Sequence, residues 1–302
     1  MLVGAWSTAA PAEEAGVWLA LSEAGGPYVE AAHALRDELT APATRRAEVR
    51  LGAWQELLAN PGRPPQLIVT IGAAAFRGVI EDAQRGGAVA NVPVLAILVP
   101  RAFYESLAGK ARAPTSAVLL DQPLGRYLDL LRLAMPERKR LGVLLGAESA
   151  QSSTALAKAA TARGMQLFVA QVGSDEDLYP ALRNVLNDAD VLLALPDSRV
   201  FNTGSLQNIL ITTYRQRVPV VAFAPGYVRA GATLALYSSP AQAAAQAAAA
   251  VRGFLGGRGL PPPQPATEFS VAVNDRVARS RGLSVDEQSN LGEQLRRQEA
   301  QR

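Results

Sequence analysis

The chain has no cysteine and a single histidine, His33. Without thiols there are no cysteine nucleophiles, thiolate metal sites or disulfides, and the absence suits oxidising and reducing compartments equally. With one histidine as well, triads built on imidazole and His/Cys metal sites are nearly excluded. His33 lies beside Val29 and Leu35 in a helical stretch, so it is expected as an ordinary helix position rather than a catalytic base. No apolar run approaches the ~18 residues that a membrane helix needs, so stable membrane insertion is not expected. The G-x-S-x-G, G-x-G-x-x-G and G-x-x-x-x-G-K-[ST] patterns are missing too, leaving only scattered carboxylates for catalysis. Charge of one sign is scarce: 30 basic against 27 acidic side chains give a net +3. Many arginines sit singly in helical stretches, which gives nucleic-acid binding little support.

What is present is a long, moderately apolar chain. Its 302 residues, 49% of them hydrophobic, suffice for two lobes with separate cores. From Val17 onward short apolar runs alternate with amphipathic stretches, the pattern of βα units feeding parallel sheets. The expected fold is α/β, with two doubly wound Rossmann-like lobes and a hinge. Candidate strands of the first lobe are Val17–Leu21, Ala47–Leu51, Gln66–Thr70, Val94–Val99 and Ala117–Leu120. The charged break Pro136–Arg140 marks the expected first crossing. Strands at Leu141–Leu145, Gln166–Val172, Val191–Leu195, Pro219–Phe223, Thr233–Tyr237 and Glu268–Val273 then build the second lobe. The expected division is 16–137 plus 239–265 for the amino-terminal lobe and 138–238 plus 266–289 for the carboxyl-terminal one. Residues 290–302 form a polar, fraying tail, and residues 1–15 are a signal-peptide remnant or a disordered tail.

In open parallel sheets ligands bind beyond the carboxyl ends of the strands, where helix N-termini offer free N–H groups. The loop Ser22–Tyr28 carries Gly25 and Gly26, which permit close backbone approach, and Pro27, which starts a helix. A docked anion and a plain turn fit it equally. Thr70 and Gly72 stand at the entrance to an alanine-rich helix, where N–H groups would face a cleft. Arg101, Phe103 and Tyr104 follow the fourth strand, with Arg101 suited to a carboxylate. In the second lobe Gly146–Ser149 fills the matching loop, and Ser149 joins the candidates. Asp197 and Ser198 offer an acceptor for a ligand ammonium or a helix cap, while Pro225, Gly226 and Tyr227 offer a ring face and a hydroxyl, or core packing.

Four stretches carry a resemblance: SAVLLDQPLGRYLDLLRLAMPERKRLGVLLG, VLLALPDSRVFN, YRQRVPVVAFAPGYVRAGATLALYSSP and FSVAVNDRVARSRGL. In this order they resemble the ABC-transporter substrate-binding family that includes receptors of the tryptophan and tyrosine type. The resemblance implies a type I periplasmic-binding fold with three hinge crossings, a small polar ligand captured by lobe closure, and an ABC permease and ATPase as partners. It implies a periplasmic address, no catalysis and no cofactor. It also places Thr70–Gly72, Asp197, Ser198 and Pro225–Tyr227 in the cleft. The same fold serves sensory modules that signal to membrane receptors, the alternative reading. The sequence departs from the family pattern at Arg101–Tyr104 and Gly146–Ser153, which leaves the ligand open.

Overall fold

A computed structural model describes residues 15–41, 47–280 and 290–301. It contains two six-stranded sheets. The first is built from β1 (Ala15–Leu21), β2 (Ala47–Ala53), β3 (Leu67–Ile71), β4 (Val94–Val99), β5 (Thr115–Leu119) and β11 (Gln264–Pro265), in the order β11-β5-β4-β3-β1-β2. The second holds β6 (Arg140–Leu145), β7 (Gln166–Gln171), β8 (Val191–Leu193), β9 (Val220–Ala222), β10 (Leu234–Tyr237) and β12 (Ser270–Val273), in the order β12-β10-β9-β8-β6-β7. All pairs are parallel except β10 with β12. Parallel strands covered on both faces read as continuous apolar runs, and β3 (LIVTI) is buried along its whole length.

Each sheet sits between two helical layers. On one face of the first, Val17, Leu19, Leu67 and Val69 pack under α1 (Gly26–Thr40) and α10 (Pro240–Leu255). On the other, Trp18, Ile68 and Ala96 pack under α2 (Trp54–Ala59), α3 (Ala73–Gln84) and α4 (Arg101–Ala108). Helix α10 is rich in alanine, so its buried stripe Ala243, Ala244, Ala247 and Ala248 approaches α1 closely. Its start is set by a capping box in which Ser239 and Gln242 satisfy each other's backbone N–H groups. The second sheet is covered by α5 (Leu124–Ala134), α6 (Ser152–Thr161), α7 (Leu178–Asp188), α8 (Leu206–Arg215), α9 (Pro225–Ala230), α11 (Asp275–Ser280) and α12 (Leu291–Ala300).

The chain passes between the sheets at three places: Leu120–Pro123, Ser238–Ser239 and Ala266–Phe269. The first lies ahead of α5, not at the charged break Pro136–Arg140, because Leu128, Leu130 and Leu131 of α5 are buried with Leu141 and Val143 of β6 in the second core. Residues 290–301 also differ from the expected fraying tail. Leu291 and Leu295, one helical turn apart, are buried in that same core and hold α12 against α5. The expected signal-peptide remnant lies outside the described residues apart from Ala15, which begins β1, and residues 281–289 lie outside them as well. No helix among the described residues is long and apolar enough to cross a membrane.

Candidate functional site

A cavity of about 460 Å³ opens between the two sheets at the carboxyl ends of β4, β5, β6 and β8. That volume suits a small organic solute. From the first lobe it is walled by Pro100, Arg101, Ala102 and Glu105, from the first crossing by Asp121–Pro123, and from the second lobe by Leu124, Glu148, Ser149, Gln151, Ser152, Leu195 and Pro196.

Local backbone features bring these groups together. Between Ile97 and Val99 the register of β4 against β5 shifts, with Leu98 at φ 55°. A bulge with a left-handed non-glycine residue re-aims the chain at a sheet end. Here it sends Pro100 into the cleft as the N-cap of α4. The Asp121 carboxylate accepts from the Arg101 N–H and so caps that helix. Burial raises the pKa of Asp121 above the ordinary aspartate value, outweighing the backbone N–H of Arg101, which lowers it. Arg101 Nη1 also pairs with Glu105 Oε1 at 3.3 Å. Across the gap Gln151 Nε2 reaches Glu105 Oε2 at 3.5 Å, a contact between lobes.

On the second lobe, Ser149 donates through its N–H (2.9 Å) and its hydroxyl (2.7 Å) to Asp197 Oδ2, while Asp197 Oδ1 accepts the Arg199 N–H at 3.1 Å. Gly146 lies against this cluster, and a Cβ there would fall 2.4 Å from Asp197 Oδ1. Next to it, Glu148 accepts from the N–H (2.9 Å) and hydroxyl (2.6 Å) of Ser198. The loops after β6 and β8 are thus sewn into one wall.

Of the expected site residues, Arg101 and Ser149 line the cavity. Asp197 and Ser198 support its wall from behind. Asp197 is 3% exposed with its oxygens committed to the backbone and hydroxyl of Ser149 and to the Arg199 N–H in the turn that follows β8, whereas the next helix, α8, has Ser205 as its N-cap. Tyr104 is turned away: it stacks on Phe76 at 5.3 Å and bonds Thr115, because its helical position faces the core under β4. Ser22, Tyr28 and Gly72 meet one another instead of the cavity. Gly72 (φ 95°) has Ser22 and Tyr28 so close that a Cβ would clash with both, and Ser22 Oγ takes the Ala75 N–H that a ligand would have used. Thr70 is fully buried in β3. Gly25 and Gly26 are exposed at the start of α1, outside the cavity wall. Pro225 and Gly226 open the short helix α9, and Tyr227 packs on Phe223 (4.7 Å) and Phe201 (6.3 Å), its pKa pushed up to about 12 by burial. His33 is exposed on α1.

The site residues that sequence reasoning passed over are Glu105, Asp121, Gln122, Glu148 and Gln151. Asp121-Gln122 directly follows the fifth strand, so the rule of strand carboxyl ends applied there would have found them.

The comparisons with known proteins decide the family. Residues 64–291, more than half of the chain, match the family described as ABC transporter substrate binding protein. The chain belongs to that family. Solved structures share the fold of this substrate-binding protein over nearly its whole length. A conserved domain protein from Vibrio cholerae aligns with TM-score 0.61 and 20% identity, and a domain from Streptococcus pneumoniae in complex with L-Trp aligns with TM-score 0.61 and 14% identity; each covers 90% of this chain and 96% of its own. A ligand-free, open substrate-binding protein with adhesive properties from Clostridium difficile aligns with TM-score 0.67 and 15% identity over the same shares. No curated protein matches the chain. The two-lobed α/β fold is that of periplasmic binding proteins, and the family binds solutes rather than transforming them.

Proposed function

We propose that this protein is the extracytoplasmic receptor of an ABC importer, which closes its lobes on a small polar solute and hands it to a permease driven by an ATPase. The observation that carries this reading is the cavity itself, whose walls come from both lobes and from a hinge crossing, so that filling it rewards closure. Its chemistry narrows the solute. Three carboxylates, Glu105, Asp121 and Glu148, face a single guanidinium, Arg101, which Glu105 already engages. A solute carrying an ammonium group balances that excess. The aromatic wall residue Tyr127 is 1% exposed and offers no free ring face, which favours an aliphatic amine over an indole or a sugar ring.

Thermal-shift screening of aliphatic amines, amino acids, carboxylic acids and sugars tests this. An amine at 100 times its Kd is expected to add about 2.7 kcal/mol of stability. The variant Glu105→Gln is expected to weaken that hit up to about fivefold, the range of a partly exposed charge pair. Affinity for the amine should also fall as pH drops through the raised titration range of Asp121, since protonation removes the charge that the ammonium meets. A response to sugars or acids alone would sink the amine assignment. Silence across the whole panel would count against solute capture.

A further inference from the structure

We propose that the carboxyl-terminal helix α12 controls how far the two lobes can swing, by clamping all three hinge crossings through the pair Arg126–Glu299. Arg126, on α5, sits at the centre. Its Nε and Nη2 donate to Glu299 Oε1 and Oε2 at 2.7 and 3.0 Å, and its guanidinium lies 4.4 Å from the centre of the Phe269 ring. Its Nη1 donates to Gln122 Oε1 at 2.8 Å and to the Ala266 carbonyl at 3.4 Å. Gln122 belongs to the first crossing, and Ala266 and Phe269 to the third. The second is tied in through Ser238, which accepts from Gln122 Nε2 at 2.8 Å and donates to the Glu268 carbonyl at 2.6 Å.

The three crossings are therefore cross-linked to one another and, through Glu299, to a helix whose Leu291 and Leu295 are anchored in the second core. A fork of two hydrogen bonds between guanidinium and carboxylate fixes orientation as well as distance. Held this way, the crossings move with the second lobe, and bending is confined to the side of the first lobe. Gln122 also lines the cavity, so a solute pressing on it presses on the clamp. Glu299 acts here as a positioning residue: it touches no solute, and its effect reaches the cleft through Arg126 and Gln122.

The absence of cysteine allows a direct test. Spin labels on Ala24→Cys and Thr203→Cys, exposed positions in loops at the carboxyl ends of the two sheets, report the lobe separation by pulsed electron resonance in the full chain without any solute. The outcome is thus independent of whether the importer reading holds. Glu299→Gln is expected to broaden the distance distribution about twofold, as a loosened hinge samples more angles. Glu293→Gln, which removes only an exposed pair with Arg297 on the same helix, is expected to leave it unchanged. A Glu299→Gln distribution that superimposes on the parent, with or without a lower melting temperature, would overturn the proposal and reduce α12 to a packing element. Equal broadening by both variants would overturn it too, since the effect would then not run through Arg126.

Discussion

Asp129→Ala is expected to cost about 3–5 kcal/mol of folding stability, the usual loss when one member of a buried ion pair is removed and the other stays behind. Asp129 is 1% exposed on α5, and its two oxygens receive Arg163 Nε and Nη2, both at 2.9 Å, from the end of α6. Arg163 is itself largely buried and donates also to the Ala159 carbonyl. It lies over Gly125, where a Cβ would come within 2.8 Å of Nη2, so the pair occupies a space that the sequence keeps free of side chain. Urea denaturation should show a lower midpoint at an unchanged slope. A loss below about 1 kcal/mol would mean that water or a neighbour replaces the carboxylate, contrary to the burial described. The pair joins α5 and α6, both of which contribute to the cavity wall, so weaker solute binding is expected alongside.

Asp197→Ala should come next in size, at about 2–3 kcal/mol, with loss of any amine response found by screening. The substitution leaves the Ser149 N–H and hydroxyl and the Arg199 N–H without their acceptor inside a buried wall. The cost comes from stranding buried donors, not from the modest net value of the bonds. Asp197→Asn keeps the shape but turns an amino group toward one set of donors, and its loss should be intermediate. Thermal melts with and without the amine separate the two effects. Full stability in Asp197→Ala would show that the loops after β6 and β8 hold together by other means.

The order of strands was legible from the apolar runs, because parallel strands buried on both faces leave few polar positions to blur them. The exceptions are instructive. Strand β11 is two residues long inside a proline-rich stretch, too short to carry a period. Helix α12 shows two apolar side chains, Leu291 and Leu295, in an otherwise polar run, and only the exposed edge of the second core makes that pair sufficient. The first crossing was misplaced since a run of charge marks solvent and not topology: Arg140 of the charged break pairs with Asp190 on the surface, while the bend itself, Leu120–Pro123, carries the single carboxylate Asp121.

The candidate site was legible to the level of loops and not of side chains. Every proposed loop lies at a strand's carboxyl end, but which of them reaches the cavity depends on contacts far apart in sequence. Ser22 spends its hydroxyl on the Ala75 N–H, 53 residues away, and Asp197 its carboxylate on Ser149, 48 residues away. No local pattern announces such a partner.

The position of α10 governs the order in which the protein can be completed. The face of β1 and β3 carrying Val17, Leu19, Leu67 and Val69 is sealed by Ala243–Val251, a segment that follows the second hinge crossing. A nascent chain that has emerged only as far as β5 thus has α1 alone on that face and leaves exposed the part that α10 covers in the finished fold. Domains that close on a late segment stay open through most of synthesis, within reach of chaperones. The core of the first lobe therefore cannot be completed until residues 240–255, which follow ten of the twelve strands, have left the ribosome.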